Sequence, residues 1–428
     1  MRRTLFGLML LLAACGQDAA PPADEYGPET PAATEQASRT VRLQIEATVP
    51  PDTPTVYLTG DADALGPWAP DALAMAGDGP VRTATLDLPP GTPLAYKFTL
   101  GTWAREAVGA DGRPLGNFET EVPQADTNDT TRRHDLYGFK PPLADLLDDP
   151  AAGGVIGTLL YWRDVESAHL VHARHVSVWL PPGYEEGAET ETRYRVIYMA
   201  DGQNLFDPRI ANTGTDWGID EAMRVGELTG AFEPAIVVAS WSTEARGEEY
   251  SPWHGAPRYA RFVTEELKPR VDEAFRTLTG PEHTFHMGSS MGGLLSFHMV
   301  SAHPDVFSAC GCVSTHFPLS PAAVTQYLGL PAGEDETPYI LADIQAGRTV
   351  PPNTRYLFDY GTQGLDADYA PTHEAVAAWM RGQGLTEGED FAVRTYEGAD
   401  HNEAAWRARV IDQLRWLLAD EPPPDMRP

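Results

Sequence analysis

The sequence predicts an α/β domain preceded by a small all-β, immunoglobulin-like sandwich. Three observations carry this. Residues 40–138 alternate apolar and polar side chains between closely spaced Gly/Pro/Asp turns, the pattern of short strands with one face buried. From residue 157 onward, short continuous apolar runs alternate with stretches of helical period, the pattern of a buried parallel sheet with helical crossovers. Within that second region, Thr284-Phe-His-Met-Gly-Ser-Ser-Met-Gly-Gly ends a β-rich run in Gly-x-Ser-x-Gly and opens into an apolar helical pattern.

The chain has 428 residues and a formal charge of −31, from 31 Lys+Arg against 62 Asp+Glu. So acidic a chain argues against a nucleic-acid partner, whose phosphates need a basic face. The only lysines are Lys97, Lys140 and Lys268, so a neutral or weakly charged substrate is favoured.

The N-terminus is organised for export. Met1-Arg2-Arg3 is positive, Leu5 to Leu12 is an apolar run too short for a permanent span, and Leu12-Ala13-Ala14-Cys15 follows. Residues 1–14 read as a secretory signal. The cysteine directly after it resembles a bacterial lipobox, which implies cleavage before Cys15 and its lipidation. Gly16 resembles the default outer-membrane sorting of such lipoproteins. Residues 15–39 are rich in Ala, Pro, Glu, Asp and Thr and read as a disordered tether. Cys310 and Cys312 lie one residue apart in an apolar run. They are expected to be buried small hydrophobes rather than a disulfide. No Cys/His spacing of a metal site is present.

In the β-rich module, Val41–Val49, Pro54–Gly60, Val81–Leu88 and Leu94–Leu100 are the strand candidates, expected to form an antiparallel sandwich. The ordered set Val56-Tyr-Leu-Thr-Gly-Asp, Ala64-Leu-Gly-Pro-Trp-Ala-Pro and Pro90-Gly-Thr-Pro-Leu-Ala-Tyr-Lys-Phe-Thr-Leu-Gly-Thr-Trp resembles a family-20 starch-binding module. That resemblance implies a stacking platform at Trp68 and Trp103, with Lys97 and Asn117 near the polar sugar contacts. Aromatic faces suit the C–H faces of sugars. A sandwich that uses both tryptophans as core is the alternative. Residues 139–156, opening on Pro141-Pro142, read as a linker.

The catalytic domain is expected over 157–420, with 421–428 a tail. Ala173–Leu180, Tyr194–Ala200 and Ala235–Ser240 are strand candidates. Tyr259–Phe275 is helical, with Phe262, Val263, Leu267, Val271 and Phe275 on one face. Gly-x-Ser-x-Gly in a strand–helix context is the form of a nucleophile elbow, and it makes Ser290 the candidate nucleophile. A serine nucleophile needs a base and a group to orient it. His401 follows the strand candidate Phe391–Tyr396 by a short loop and precedes a helix carrying Trp406, Val410, Leu414 and Leu417. His286, His298, His303 and His316 fit less well. The acid lies on or after the strand Arg355–Gly361: Asp366 in the following loop is preferred, with Asp359 inside the strand and Asp368 farther along as alternatives. The oxyanion donors are expected from the N–H of Met291 and from the loop Asp201-Gly202-Gln203-Asn204, with Gln203 first and Gly202 second.

Met199-Ala-Asp-Gly-Gln-Asn-Leu-Phe-Asp, Phe262-Val-Thr-Glu-Glu-Leu-Lys-Pro, His286-Met-Gly-Ser-Ser-Met-Gly-Gly and the late Asp400-His401 together resemble the α/β-hydrolase esterase family of feruloyl, acetyl-xylan and enterochelin esterases. The resemblance implies carboxylic-ester hydrolysis through a Ser–His–Asp triad without cofactor. The Gly361-to-Asp366 spacing is longer than in many members. The reading is an esterase directed to a carbohydrate, with α-glucan held by the module and a lipid anchor at the cell envelope. A siderophore esterase and a non-catalytic glycan-binding lipoprotein are the alternatives.

Overall fold

The computed structural model describes residues 40–124, 130–185, 191–421 and 423. The signal segment, Cys15, the tether and most of the C-terminal tail lie outside the described residues.

The module contains β1 (Val41–Thr48), β2 (Tyr57–Gly60), β3 (Leu73–Ala74), β4 (Val81–Leu88), β5 (Pro93–Thr99), β6 (Ala107–Val108), β7 (Phe118–Glu121), β8 (Thr131–Asp135) and β9 (Gly138–Phe139). Two sheets, β4-β1-β8 and β3-β2-β5-β7, face each other. The alternation read from the sequence sets the core: Leu43, Ile45 and Ala47 of β1 meet Leu58, Tyr96 and Phe98 of the opposite sheet. One pair departs from the antiparallel expectation. β8 runs parallel to β1, with Ile45 opposite Arg132, because the chain crosses from the second sheet back to the first between β7 and β8. A crossover brings a strand in parallel where a hairpin cannot.

The segment expected as a linker is folded. Leu143–Asp148 is a helix, and its Leu146 and Leu147 are buried with Ile210 and Trp241 of the next domain. Arg209 Nη2 donates to the Asp149 carbonyl at 2.8 Å, and the Ile156 N–H to Asp220 Oδ2 at 2.7 Å. The composition suggested a spacer, but two adjacent leucines with an apolar surface to cover make it a brace.

The second domain holds β10 (Thr158–Val165), β11 (Arg174–Leu180), β12 (Arg195–Met199), β13 (Ala235–Ser240), β14 (Thr284–Ser289), β15 (Ala309–Val313), β16 (Arg355–Gly361) and β17 (Phe391–Tyr396). They form one sheet in the order β10-β11-β13-β12-β14-β15-β16-β17. β10 and β11 are antiparallel additions, and every pairing from β13/β12 to β16/β17 is parallel. Both faces are covered. On β12, Val196 and Tyr198 face one core and Ile197 and Met199 the other, which is why its sequence is continuously apolar.

Three local departures have physical causes. The helix expected over Tyr259–Phe275 runs from Ala256 to Ala274 but widens to π geometry over Phe262–Leu267. Pro269, which has no N–H to donate, follows one residue later. The helix after His401 is interrupted between Arg407 and Val410, where Arg409 leaves helical geometry at φ −126°, ψ 2°. Cys310 and Cys312 are joined as a disulfide, against expectation. Residues i and i+2 of a strand share a face, and at 5.8 Å their Cα atoms lie within disulfide reach.

The parallel strands place the ends of β12, β14, β15, β16 and β17 on one edge of the sheet, where an α/β architecture gathers its chemistry.

Candidate active site

Ser290 sits between β14 and the helix Met291–Ala302 at φ 57°, ψ −118°, a conformation that costs a non-glycine residue about 1–3 kcal/mol. The surroundings hold it there. Its N–H donates to the Val313 carbonyl at 2.9 Å, and its own carbonyl accepts from Gly293, Leu294 and His316. The flanking glycines have a packing reason: a Cβ on Gly288 would lie 2.7 Å from the Gly292 carbonyl oxygen. The turn lifts the Ser290 side chain clear of the sheet and leaves it partly exposed.

Of the three candidate acids, the structure brings Asp366 to the imidazole. β16 ends at Gly361, and the chain turns back through a 3-10 segment, Gly364–Asp368. There Asp366 is fully buried. Its Oδ1 is 2.6 Å from His401 Nδ1. Its Oδ2 accepts from the Gly361 N–H at 2.7 Å and from Ser314 Oγ at 2.6 Å. The long Gly361-to-Asp366 spacing is thus the length of loop that lets the carboxylate fold back onto its own strand end. Burial pushes this carboxyl up, but the hydrogen bonds from His401, Ser314 and Gly361 outweigh it and hold it below its ordinary value. Asp359 serves a different partner: its carboxylate takes Arg409 at 3.0 Å and Gln413 at 2.6 Å. Asp368 is exposed.

His401 is carried on a loop pinned to the acid loop, since the N–H groups of Thr362 and Gln363 both donate to the Ala399 carbonyl at 3.0 Å. The ring is 14% exposed and stands edge-on to Trp406. With Nδ1 given to Asp366, Nε2 is the nitrogen free to take a proton. Among the described residues no hydrogen bond joins Ser290 to His401. The Tyr369 hydroxyl, a neighbour of Ser290, bonds His316 Nδ1 at 2.5 Å. Burial, then the neighbouring His401 charge, lowers His316 to about 4, so it is neutral at pH 7. His286 is buried against Ser296 at 2.8 Å and pushed down to about 3 by burial.

For the oxyanion donors, Met291 opens the elbow helix and Gly202–Asn204 forms a 3-10 turn after Asp201 at φ 57°. The first N–H groups of a helix have no intrahelical acceptor. Among the described residues, none accepts from the N–H of Gly202, Gln203 or Met291. Gly202 is small for a reason other than substrate approach: a Cβ there would lie 2.6 Å from the Ala239 carbonyl oxygen and 2.8 Å from Trp241. Asp201 is clamped by Arg246 through two bonds of 2.7 and 2.8 Å.

Sequence reasoning missed Ser314, Tyr369 and Arg409. Ser314 Oγ receives Trp406 Nε1 at 2.9 Å and Arg409 Nη2 at 2.7 Å while donating to Asp366. The signal was available at the end of β15, where Ser314-Thr-His leaves the sheet beside the elbow. No motif marks Tyr369 or Arg409. The carboxylates Asp216, Asp220 and Glu221 also gather. Arg407 spans Asp216 and Glu221 at 2.7 Å each, a structural ion-pair cluster, beside which burial pushes the Asp220 carboxyl up.

In the module, Trp68 and Trp103 lie outside the core cluster, with ring centroids 6.4 Å apart and planes tilted by 38°. Trp103 is 40% exposed. Trp68 adopts φ 62°, an outlier for a bulky residue. Lys97 gives its ammonium to Glu106 at 2.9 Å, and Asn117 is exposed just before β7.

Two outcomes follow from this geometry. Asp366→Asn is expected to lower kcat for a small ester about 10³–10⁴-fold, whereas Asp368→Asn stays within about twofold of wild type; steady-state kinetics on p-nitrophenyl acetate decide it. The Asp366 carboxyl is lower in the folded than in the unfolded chain, so its stabilisation is present above its ordinary value of 3.8 and is lost as pH falls through the folded value. The melting temperature should therefore fall on acidification below about pH 4, and less steeply in Asp366→Asn. Parallel curves for the two proteins would contradict this.

Two family models match the chain. A family model described as "Putative esterase" matches residues 167–417, and one described as "Starch binding domain" matches 39–131. The chain is 22% identical over 264 residues to the uncharacterized protein YbbA of Bacillus subtilis (strain 168), covering 59% of this chain and 95% of that protein. It is 32% identical over 80 residues to an alpha-amylase of Niallia circulans, covering 19% of this chain and 6% of the amylase. Among solved structures it is similar to the enterobactin esterase of Shigella flexneri (15% identity, 85% of this chain, 87% of that chain, TM-score 0.48). It is also similar to a ferulic acid esterase of the fungus Anaeromyces mucronatus (17% identity, 61% of this chain, 90% of that chain, TM-score 0.42). With more than half its length matched, the chain belongs to this esterase family and carries a starch-binding domain ahead of the catalytic one.

Proposed function

We propose that the chain is an exported, lipid-anchored serine esterase that hydrolyses a carboxylic ester borne on a carbohydrate, through a Ser290–His401–Asp366 triad. The observation that carries the chemistry is the 2.6 Å contact between the buried Asp366 carboxylate and His401 Nδ1, beside a serine held at φ 57°. As substrate enters, Ser290 closes on His401; such catalytic hydrogen bonds commonly tighten only in the complex. Oγ attacks the ester carbonyl while Nε2 takes its proton, and Asp366 stabilises the imidazolium. The N–H groups of Met291 and of Gln203 or Gly202 receive the oxyanion, and losing one such donor typically costs about 3 kcal/mol. Collapse breaks the ester C–O bond, the imidazolium protonates the departing alcohol, and Ser290 carries the acyl group. Water, deprotonated by His401, then releases the acid and restores the serine. No cofactor is required.

Support for the carbohydrate comes from the paired rings of Trp68 and Trp103, presented outside the module core. The signal pattern and Cys15 support export with lipidation, and Gly16 supports outer-membrane retention. Ser290→Ala is expected to abolish p-nitrophenyl acetate hydrolysis with its circular dichroism and melting unchanged. Trp68→Ala and Trp103→Ala should each weaken retardation on α-glucan in a native gel. Persisting turnover in Ser290→Ala overturns the chemistry, and unaltered retardation in both tryptophan variants overturns the glucan seat.

A further inference from the structure

A cavity of about 610 Å³ lies between the starch-binding domain and the catalytic domain, within the usual range for small-molecule sites. One wall is Trp103, Ala104 and the Lys97–Glu106 pair of the module. The other includes Gln203, Asn212, Trp241, Ser242 and Thr243 of the catalytic domain. The brace contributes Leu143 and Leu146. Pro114 of the module packs on Gly214, where a Cβ would lie 3.0 Å away, so the two domains meet directly beside this space.

Three features say what the cavity suits. Its charges are answered: Lys97 and Lys140 share Glu106 at 2.9 and 2.8 Å, and Arg209 is held by Asp207 at 2.7 Å, while Glu244 adds a further carboxylate. An anionic ligand therefore finds no cation free of a carboxylate among these. Its polar surface is amide and hydroxyl, from Gln203, Asn212, Ser242 and Thr243, set against the exposed ring of Trp103. That combination matches the alternating C–H faces and hydroxyl edges of a neutral sugar. Finally, it meets the catalytic machinery at one residue. Ser290 and His401 do not line it, but Gln203 does. The Gln203 side chain is fastened to Ser242 by Nε2–H to Oγ at 2.6 Å and by the Ser242 N–H to Oε1 at 3.2 Å. Its backbone N–H, on the same residue, is the candidate oxyanion donor.

The geometry points to this interdomain cleft as the seat for the carbohydrate part of the ester substrate, with the starch-binding domain forming one wall of the substrate site rather than only tethering the enzyme to a distant polymer. A short α-glucan bearing an acyl group would stack on Trp103, hydrogen-bond along Asn212, Ser242 and Thr243, and present its ester past Gln203 to Ser290. This inference rests on the esterase reading above and is separable from it.

The test compares the full chain and its Trp103→Ala variant on two soluble substrates, acetylated maltohexaose and p-nitrophenyl acetate. The expected result is that kcat/KM for the maltohexaose ester, divided by that for p-nitrophenyl acetate, falls about tenfold in the variant, the scale of one lost aromatic contact, with the loss in KM. Thr243→Trp, which fills the cleft from the catalytic side, should lower the same ratio; two variants on opposite walls guard against a folding defect in either. An unchanged ratio in both overturns the seat and leaves the module as an anchor. Wild-type hydrolysis of p-nitrophenyl acetate with none of the maltohexaose ester also overturns it while sparing the esterase reading. Hydrolysis of neither substrate overturns the esterase reading itself.

Discussion

The catalytic edge depends on one buried carboxylate. Asp366 has no exposed surface, and a carboxylate out of water is tolerated only when its lone pairs are answered. Each answer comes from a different element: Gly361 from the end of β16, Ser314 from the end of β15, and His401 from the loop after β17. Satisfying this charge therefore sets the spacing of three segments at once and leaves His401 one tautomer. A second buried carboxylate, Asp359, ties the same region to the final helix through Arg409 and Gln413. Arg409 and Trp406 both reach Ser314, so the two carboxylates form one connected network behind the histidine.

Against that rigid support, the serine is the strained part. Four backbone hydrogen bonds hold Ser290 in a conformation it would not otherwise keep, and Gly288, Gly292 and Gly293 allow the packing that makes this possible. The strain faces outward and the carboxylate is buried inward, so the site combines a partly exposed serine with a histidine fixed by Asp366.

The strands were legible where burial writes a period: Val81–Leu88 and Ala235–Ser240 end where the alternation or apolar run ends. A strand–turn–helix motif and chain order singled out Ser290, Asp366 and His401 as candidates, and the fold sets Asp366 against His401 at the same sheet edge as Ser290. Other features depend on which surfaces meet. The stretch 139–156 resembles a spacer until Leu146 and Leu147 find Ile210 and Trp241. Cys310 and Cys312 share a strand face, which their adjacency in the sequence obscured. Tyr369 and Arg409 carry no motif, and their placement, like that of Ser314, arises only when the strand ends converge. The cleft between the domains has no sequence signature at all, since its walls come from distant parts of the chain.

We propose Ser290 as the nucleophile that His401 and Asp366 serve. Reaction with an organophosphonyl fluoride followed by peptide mass spectrometry tests it most directly. The expected result is a single adduct on Ser290 that accumulates as ester turnover disappears and forms far more slowly in His401→Ala. Loss of turnover with Ser290 unlabelled, or full labelling of Ser290 with turnover intact, would contradict it.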